Sequence, residues 1–205
     1  MKKRIGILFL IFMMLTTFSL ATETIDLGLP QTEEQDDGIM PISQMPVDSD
    51  GDGYEMIYDD VYKMENQVTI SEVIDGNVYV MARDAKVENA VIYGNLFVMA
   101  EEIEIVDSEI AGSVFAFGEK LNFSGMTNDL YACGSKVDIT AGSYVWRNAK
   151  LAGETIHIDG NVGRNLDVGV NQFVVGDNAK IEGILHYFSS KEGTISEKAQ
   201  IQDVQ

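Results

Sequence analysis

Pairs of aliphatic residues separated by a single residue recur along the chain from Val61 onward. Alternation with a period of two predicts β-strands that bury one side. The first set of pairs is Val78/Val80, Leu96/Val98, Val114/Ala116, Leu130/Ala132 and Leu166/Val168. The second set is Val68/Ile70, Ala85/Val87, Ile103/Ile105, Leu121/Phe123, Val137/Ile139, Ile156/Ile158 and Phe173/Val175. A looser apolar position follows at Ile74, Val91 or Ile92, Ile110, Met126, Val145, Val162 and Ile181, which gives three short strands per repeat.

Each repeat begins with a marker residue just before the first pair. The markers are Asp60, Asn77, Asn95, Ser113, Asp129, Asn148, Asn165 and Ile184, and successive markers lie 16 to 19 residues apart. This period is too long for a heptad and too short for helical-pair repeats, which need more than about 30 residues. The pattern predicts an all-β fold, namely a single-stranded, triangular, parallel β-helix of about eight coils with about 18 residues each.

The handedness of this helix is predicted from the spacing of the aliphatic residues. A left-handed hexapeptide helix has one aliphatic residue strictly every six positions, whereas this chain has pairs and a variable coil length. The pattern therefore favours a right-handed helix. Gly, Asn, Asp and Ser lie between the strands, as in Asp75-Gly76-Asn77 and Asp159-Gly160-Asn161. Because these residues tolerate a left-handed backbone, we expect them to form tight corners.

Large apolar residues occupy positions that must point away from the core, since neighbours in a strand alternate in direction. These outward residues are Tyr62, Tyr79, Phe97, Phe115 and Tyr131, with Met64, Met81, Met99, Phe117 and Cys133 two positions further on. In later repeats the same positions hold Lys150 and Ala152, Asp167 and Gly169, then His186 and Phe188. The sequence thus predicts an apolar face on the N-terminal half of the helix.

Three explanations of this face are consistent with the sequence. An exposed apolar patch of this size indicates contact with a partner protein, a second copy or a membrane. Alternatively, the stacked rings stabilise the sheet themselves. In the third explanation residues 40–58 fold back over the face, with Tyr54, Met56, Ile57 and Tyr58 as the cover.

The N-terminal residues predict export. Residues 1–21 combine Lys2-Lys3-Arg4, an apolar run and the ending Ser19-Leu20-Ala21, which is typical of a cleaved signal peptide. An uncleaved membrane anchor is the alternative, and in either case the remainder lies outside the cytoplasm, secreted or at the cell envelope. Residues 22–59 are acidic and contain all three prolines, which predicts a disordered linker, and 60–205 form the β-helix domain.

The charge of the chain excludes one class of partner. Lys and Arg number 14 against 33 Asp and Glu, a net charge of −19 at pH 7. Nucleic-acid binding needs a basic surface, so we expect none. Membrane association is expected only through an uncleaved signal segment. The single cysteine, Cys133, excludes a framework of disulfides within the chain.

An acidic stretch at residues 48–59 resembles half of a calcium loop. Asp48, Asp50 and Asp52 stand at positions 1, 3 and 5, with Gly at position 6, and Asp59 stands at position 12, where Glu is usual. Oxygen ligands on alternate residues can wrap a hard cation, so these four aspartates predict a calcium site. The alternative is an acidic turn at the end of the linker. No other cofactor is expected.

The corner-strand units Asp75–Val78, Tyr93–Leu96, Ala111–Val114 and Gly163–Leu166 resemble those of the bactofilins, a family of polymer-forming bacterial cytoskeletal proteins. The similarity covers about residues 60–188 and is greatest to exported members from Gram-positive bacteria. It implies a right-handed triangular β-helix that assembles end to end without nucleotide. Typical bactofilins are cytoplasmic, whereas this chain carries a predicted export signal.

No residue constellation in the sequence indicates catalysis. His157 and His186 lie in different repeats without an acid–base partner at motif spacing, and the short coils leave little material for a cleft. Arg147 and Arg164 share one repeat position, where they either bind an anionic polymer or pair with nearby acids. The pairs still continue at Val204, so we expect the last coil to dock on another copy or to belong to a longer chain.

We therefore predict a non-enzymatic, bactofilin-like scaffold that self-associates or binds another protein of the cell envelope. The alternative function, from a different class, is a β-helix that binds or degrades cell-wall polysaccharide. The two predictions differ in the surface around Arg147 and Arg164, which should be flat in a scaffold and indented in an enzyme.

Overall fold

The structure is a computed structural model that describes residues 56–205, and within them it contains only β-strands and connections. The strands are β1 (Met56–Ile57), β2 (Val61–Met64), β3 (Gln67–Ile70), β4 (Val73–Ile74), β5 (Val78–Met81), β6 (Asp84–Glu88), β7 (Val91–Ile92), β8 (Leu96–Ile139), β9 (Tyr144–Val145), β10 (Ala149–Ile158), β11 (Asn161–Val162), β12 (Leu166–Val175), β13 (Lys180–Ser189), β14 (Thr194–Ile195) and β15 (Gln200–Val204).

Every strand pairs in parallel with the strand one coil before or after it. Val61 pairs with Val78 and Val78 with Leu96, which are steps of 17 and 18 residues. Near the C-terminus Leu166 pairs with Leu185, a step of 19 residues. The predicted all-β parallel solenoid of about eight coils is therefore confirmed.

Three sheets surround the core. The first contains β2, β5, the start of β8 and the first halves of β10 and β12; the second contains β3 and β6 and the second halves of β10 and β12. The third is made of short strands, including β1, β4, β7, β9 and β11. Every residue of the two predicted pair sets is buried, and the most exposed of them, Val68, is only 6% exposed. The inward columns form one continuous apolar core.

The third inward column differs from the prediction at one coil. Met126 was expected to be inward but is 39% exposed, and Thr127 beside it is fully buried. Thr127, not Met126, aligns with inward Val145 of the next coil. The Thr127 hydroxyl donates a hydrogen bond of 2.9 Å to the carbonyl of Gly112, which satisfies the polar atom inside the core.

The marker residues form a hydrogen-bonded ladder along one corner. The side-chain oxygen of Asp60 accepts the backbone N–H of Asn77 at 2.7 Å, Asn77 accepts that of Asn95 at 2.9 Å, and Asn95 accepts that of Ser113 at 2.9 Å. A second run begins at Asp129, which accepts the backbone N–H of Asn148 at 3.1 Å. Asn and Asp are needed because each must satisfy a backbone donor of the following coil.

The expectation of left-handed backbone is wrong for the marker corner. Among residues 56–205, positive φ occurs only at Asn89, Asp107 and Gly142, which lie at the corner between the second and third sheets, where Asp159-Gly160-Asn161 also lies. The marker corner needs glycine for close approach instead: a Cβ on Gly94 would lie 2.4 Å from the carbonyl oxygen of Gly76. The sequence identifies the right corner residues, but the physical reason is coil-to-coil contact.

The predicted boundaries and N-terminal features fall mostly outside the described residues. Outside the described residues lie the signal peptide 1–21, most of the linker 22–59, and Asp48, Asp50 and Asp52 of the predicted calcium loop. Strand β1 already pairs with β4, so the described solenoid includes residues four positions before the expected boundary at residue 60. Over 56–205 no helix has the length and apolar character needed to cross a bilayer.

Candidate interaction face

Five aromatic side chains form one continuous stack on the outside of the first sheet. We call Tyr62, Tyr79, Phe97, Phe115 and Tyr131 the ring column. Their centroids are 4.7, 5.0, 4.7 and 4.9 Å apart, and adjacent ring planes differ by 3–8°. Strand register produces this stack, because Tyr62, Tyr79 and Phe97 are aligned in consecutive coils. Each stacked pair contributes about 0.5–1.5 kcal/mol beyond its buried area.

The methionines form a second, more exposed column beside the rings. We call Met64, Met81 and Met99 the thioether column; they are aligned in consecutive coils and are 76%, 49% and 45% exposed. In the next coil this position holds Phe117, which is half-buried. In the coil after that it holds Cys133, which is only 6% exposed. The predicted apolar face thus exists, and its exposure is greatest at the first coil.

The ring column changes into an ionic column in the C-terminal half, as the repeat phase predicted. Tyr131 aligns with Lys150, Lys150 with Asp167, and Asp167 with His186. The carboxylate of Asp167 lies 3.6 Å from the Lys150 Nζ and 3.1 Å from the His186 Nδ1. The continuous apolar face is therefore limited to the first five coils, and the exposed Phe188 of a later coil stands apart from it.

The described part of the predicted cover does not lie over the rings. Met56 and Ile57 pair with Val73 and Ile74 in the third sheet, away from the ring column. Tyr58 is 77% exposed. Tyr54, the remaining residue of that cover, lies outside the described residues.

The geometry of the rings limits what they can bind. Because the rings stack on one another with nearly parallel planes, each interior ring has both faces against neighbouring rings. They therefore turn their edges outward, and ring edges carry the positive part of the aromatic quadrupole. A sugar platform needs an accessible ring face. The column suits packing by apolar or acidic protein groups better than stacking by a saccharide.

The second sheet has a charged outer surface with local ion pairs. Lys120 Nζ lies 2.5 Å from Glu102, Lys136 Nζ lies 2.6 Å from Asp138, and His157 Nδ1 lies 3.2 Å from the same aspartate. The hydrogen bond to Glu102 raises the pKa of Lys120. Such exposed pairs contribute little stability each.

Arg147 and Arg164, which share one repeat position, have different environments. The guanidinium of Arg147 pairs with Asp129, with its Nε 3.1 Å from the carboxylate, and Asp129 is 3% exposed. Arg164 is exposed one coil further. Arg147 therefore supports the marker ladder, which agrees with pairing to nearby acids.

The remaining candidate residues are Cys133 and the aspartates of the predicted calcium loop. Burial raises the pKa of the Cys133 thiol, which favours the unreactive protonated form. Asp59, the one described member of the predicted calcium set, accepts the backbone N–H of Asp60 at 2.8 Å. In the described range no cluster of three or more His, Cys, Asp and Glu residues could hold a metal. The calcium prediction rests on residues beyond that range.

Sequence reasoning missed one group, a bridge between the last two coils. His186 Nδ1 lies 3.1 Å from Asp167 Oδ1, and its Nε2 lies 3.0 Å from Gln205 Oε1. The three residues are spaced by 19, so the repeat period could have revealed them.

No protein-family model matches the chain, and no curated protein or solved structure matches it either. The similarity to the bactofilins therefore depends on the repeated corner-strand units alone.

Proposed function

We propose that the chain is an exported, non-enzymatic scaffold of the cell envelope. It self-associates through its apolar face and, as its resemblance to the bactofilins implies, through the ends of its solenoid. One observation carries the proposal: a continuous ring column lies beside exposed methionines on the outside of the first sheet. Exposed apolar surface of this kind favours burial against protein.

The apolar face is too small to form a stable interface by itself. Two columns over five coils, spaced about 4.8 Å, cover on the order of 300 Å². A stable interface needs about 800 Å² from each partner, so the face alone supports only weak contact. The most exposed large apolar residue is Phe188 near the C-terminal end, at 84%, followed by Tyr58, Met64 and Tyr62 in the first coil, at 77%, 76% and 69%. Association therefore involves the ends of the solenoid together with the face.

The geometry favours a scaffold over the polysaccharide-directed alternative. The faces of the interior rings Tyr79, Phe97 and Phe115 are covered by their neighbours, so these rings offer no stacking platform for sugars. The acid nearest to Arg147 is engaged with it in an ion pair, and in the hollow along the second sheet Lys120 pairs with Glu102 and Lys136 with Asp138.

Electron microscopy and light scattering of the purified protein test the proposal. We expect its mean mass to rise with concentration, with filaments or oligomers in the images. The double variant Tyr62→Ser, Met64→Ser should weaken association at least tenfold, because it removes apolar surface from the first coil. Met126→Ser is the matched control, an exposed methionine outside the face. A monodisperse monomer at high concentration would contradict the proposal.

A further inference from the structure

The thioether column offers a chemistry that apolar contact does not require. Residues 56–205 contain five methionines, and three of them, Met64, Met81 and Met99, stand in one column in consecutive coils. None of the three contributes to the buried core, which consists of Val, Ile, Leu, Ala and Phe. Exposed strand positions usually favour β-branched residues, so methionine is an unusual choice there.

The spacing of the column suits a cation held between two sulfur atoms. The neighbouring rings give the coil spacing at this face, 4.7 Å between Tyr62 and Tyr79 and 5.0 Å between Tyr79 and Phe97. A zinc–thiolate bond is about 2.3 Å long, and two bonds of that length to a central cation span about 4.6 Å. The methionine side chain has three rotatable bonds and closes the small remaining difference without moving the backbone.

The surroundings add an electrostatic preference for a cation. A solvent-accessible hollow beside Met64 and Met81 is also lined by Glu65 and Glu101. The positive group in the same hollow, Arg83, donates two hydrogen bonds to Asp84, at 3.1 and 2.6 Å. Two carboxylates beside the sulfur atoms raise the local cation concentration.

We propose that the thioether column binds a soft monovalent cation, namely Cu(I), between methionine sulfur atoms of adjacent coils. Thioether sulfur is a soft ligand that selects Cu(I), whereas Ca²⁺ and Mg²⁺ require oxygen ligands and structural Zn²⁺ sites use thiolate and imidazole. Met81 is the central residue, because it has a thioether neighbour in both adjacent coils. This inference does not depend on self-association.

A thioether site has a distinctive response to pH. Methionine does not titrate, so protons do not compete with the metal, whereas thiolate and imidazole sites lose affinity in acid. We expect the affinity to change less than about threefold between pH 7.5 and pH 5. Cys133 is the strongest soft ligand of the described residues but is buried, two coils beyond Met99. The test therefore uses a Cys133→Ala background.

Silver ion, which is redox-stable, is the first probe, titrated calorimetrically into the purified chain in chloride-free buffer. Cu(I) follows under ascorbate, in competition with a chromophoric chelator. We expect one tight equivalent of either cation in Cys133→Ala. Adding Met81→Leu, a volume-conserving change, should weaken binding at least tenfold, and adding Met126→Leu should leave it unchanged. Met126 is the matched control because it is 39% exposed, close to the 45% of Met99.

Nuclear magnetic resonance of ¹³C-methyl methionine supplies a readout in the unmutated chain. The methyl signals of Met64, Met81 and Met99 should shift together on addition of silver, while that of Met126 should not. The proposal is overturned if Cys133→Ala binds no silver, if Met81→Leu binds as tightly as its parent, or if the Met126 signal shifts as much as those of the column.

Discussion

At the scale of single residues, the marker position determines how one coil is joined to the next. Asn95 shows this most clearly, because it acts in both directions. Its amide nitrogen donates to Asn77 Oδ1 at 3.0 Å, and its own side-chain oxygen accepts the backbone N–H of Ser113 at 2.9 Å. Asp60 and Asp129 head the two runs of the ladder and act only as acceptors toward the next coil. Asn is therefore required inside a run, and Asp is suitable at its start.

Replacement of Asn95 tests this ladder. Asn95→Ala leaves the N–H of Ser113 without its acceptor, and we expect it to lower the free energy of unfolding by about 1–3 kcal/mol. Asn95→Asp loses the donor to Asn77 Oδ1 and should also destabilise the fold, but by less than Ala, because the backbone N–H of Ser113 keeps its acceptor. Asn171→Ala, at an exposed position, is the control and should change stability by less than about 0.5 kcal/mol. Urea denaturation measures all three; equal loss for Ala and Asp would show that the acceptor is unimportant.

The inward positions show which side chains the sequence pattern could place and which it could not. The inward pairs were predictable because burial of a half-exposed strand leaves an alternating apolar pattern, as in Val78/Val80. Met126 was misplaced because hydrophobicity alone favours it over its neighbour. Thr127 can replace it only because the Gly112 carbonyl accepts its hydroxyl, a contact with the coil before it that no local pattern contains.

At the scale of elements, the last coil is joined to the previous one by a titratable side chain. Gln205 donates through its amide nitrogen to Asp203 at 2.9 Å, which fixes its Oε1 toward His186 Nε2. The other ring nitrogen faces a carboxylate oxygen of Asp167. Both ring nitrogens thus face acceptors, and only the doubly protonated imidazolium donates to both. These hydrogen bonds, to Asp167 first and then to Gln205, raise the pKa of His186.

We expect β15 to loosen as the pH rises. Because the folded-state pKa of His186 lies above its ordinary 6.5, its stabilisation is complete below pH 6.5 and is lost as pH rises through the raised pKa. The backbone N–H of Gln205, which donates to Leu185 at 2.9 Å, should lose hydrogen-exchange protection over this range. Asp167, Asp203 and Lys150 carry the other charges facing the site.

The control for this prediction is His186→Gln, which cannot gain a proton. Protection factors, which correct for the intrinsic pH dependence of exchange, should then be independent of pH in β15. They should also remain constant in both proteins for β5, in the middle of the solenoid. A pH dependence that persists in His186→Gln would assign the effect to another group.

At the scale of the whole molecule, charge and apolar surface are segregated in a way that sets the conditions for association. Residues 56–205 hold 11 Lys and Arg against 23 Asp and Glu, a net charge of −12. The ring column carries no charged residue in its five coils, while its continuation carries Lys150, Asp167 and His186. The period and phase of the repeat were enough to predict this division. The ring-edge orientation was not predictable, because it depends on stacking between side chains.

Self-association of this molecule should increase with salt. Two copies repel each other through their acidic surfaces, and this repulsion reaches about 30 Å at 0.01 M salt but only about 10 Å at 0.1 M. Apolar contact through Tyr62 and Met64 is not screened, so the mean mass by light scattering should rise between 10 and 300 mM sodium chloride. The rise should disappear in Tyr62→Ser, Met64→Ser and persist in Met126→Ser. A mass that falls with salt would instead indicate association by ion pairs, with the charged second sheet as the interface.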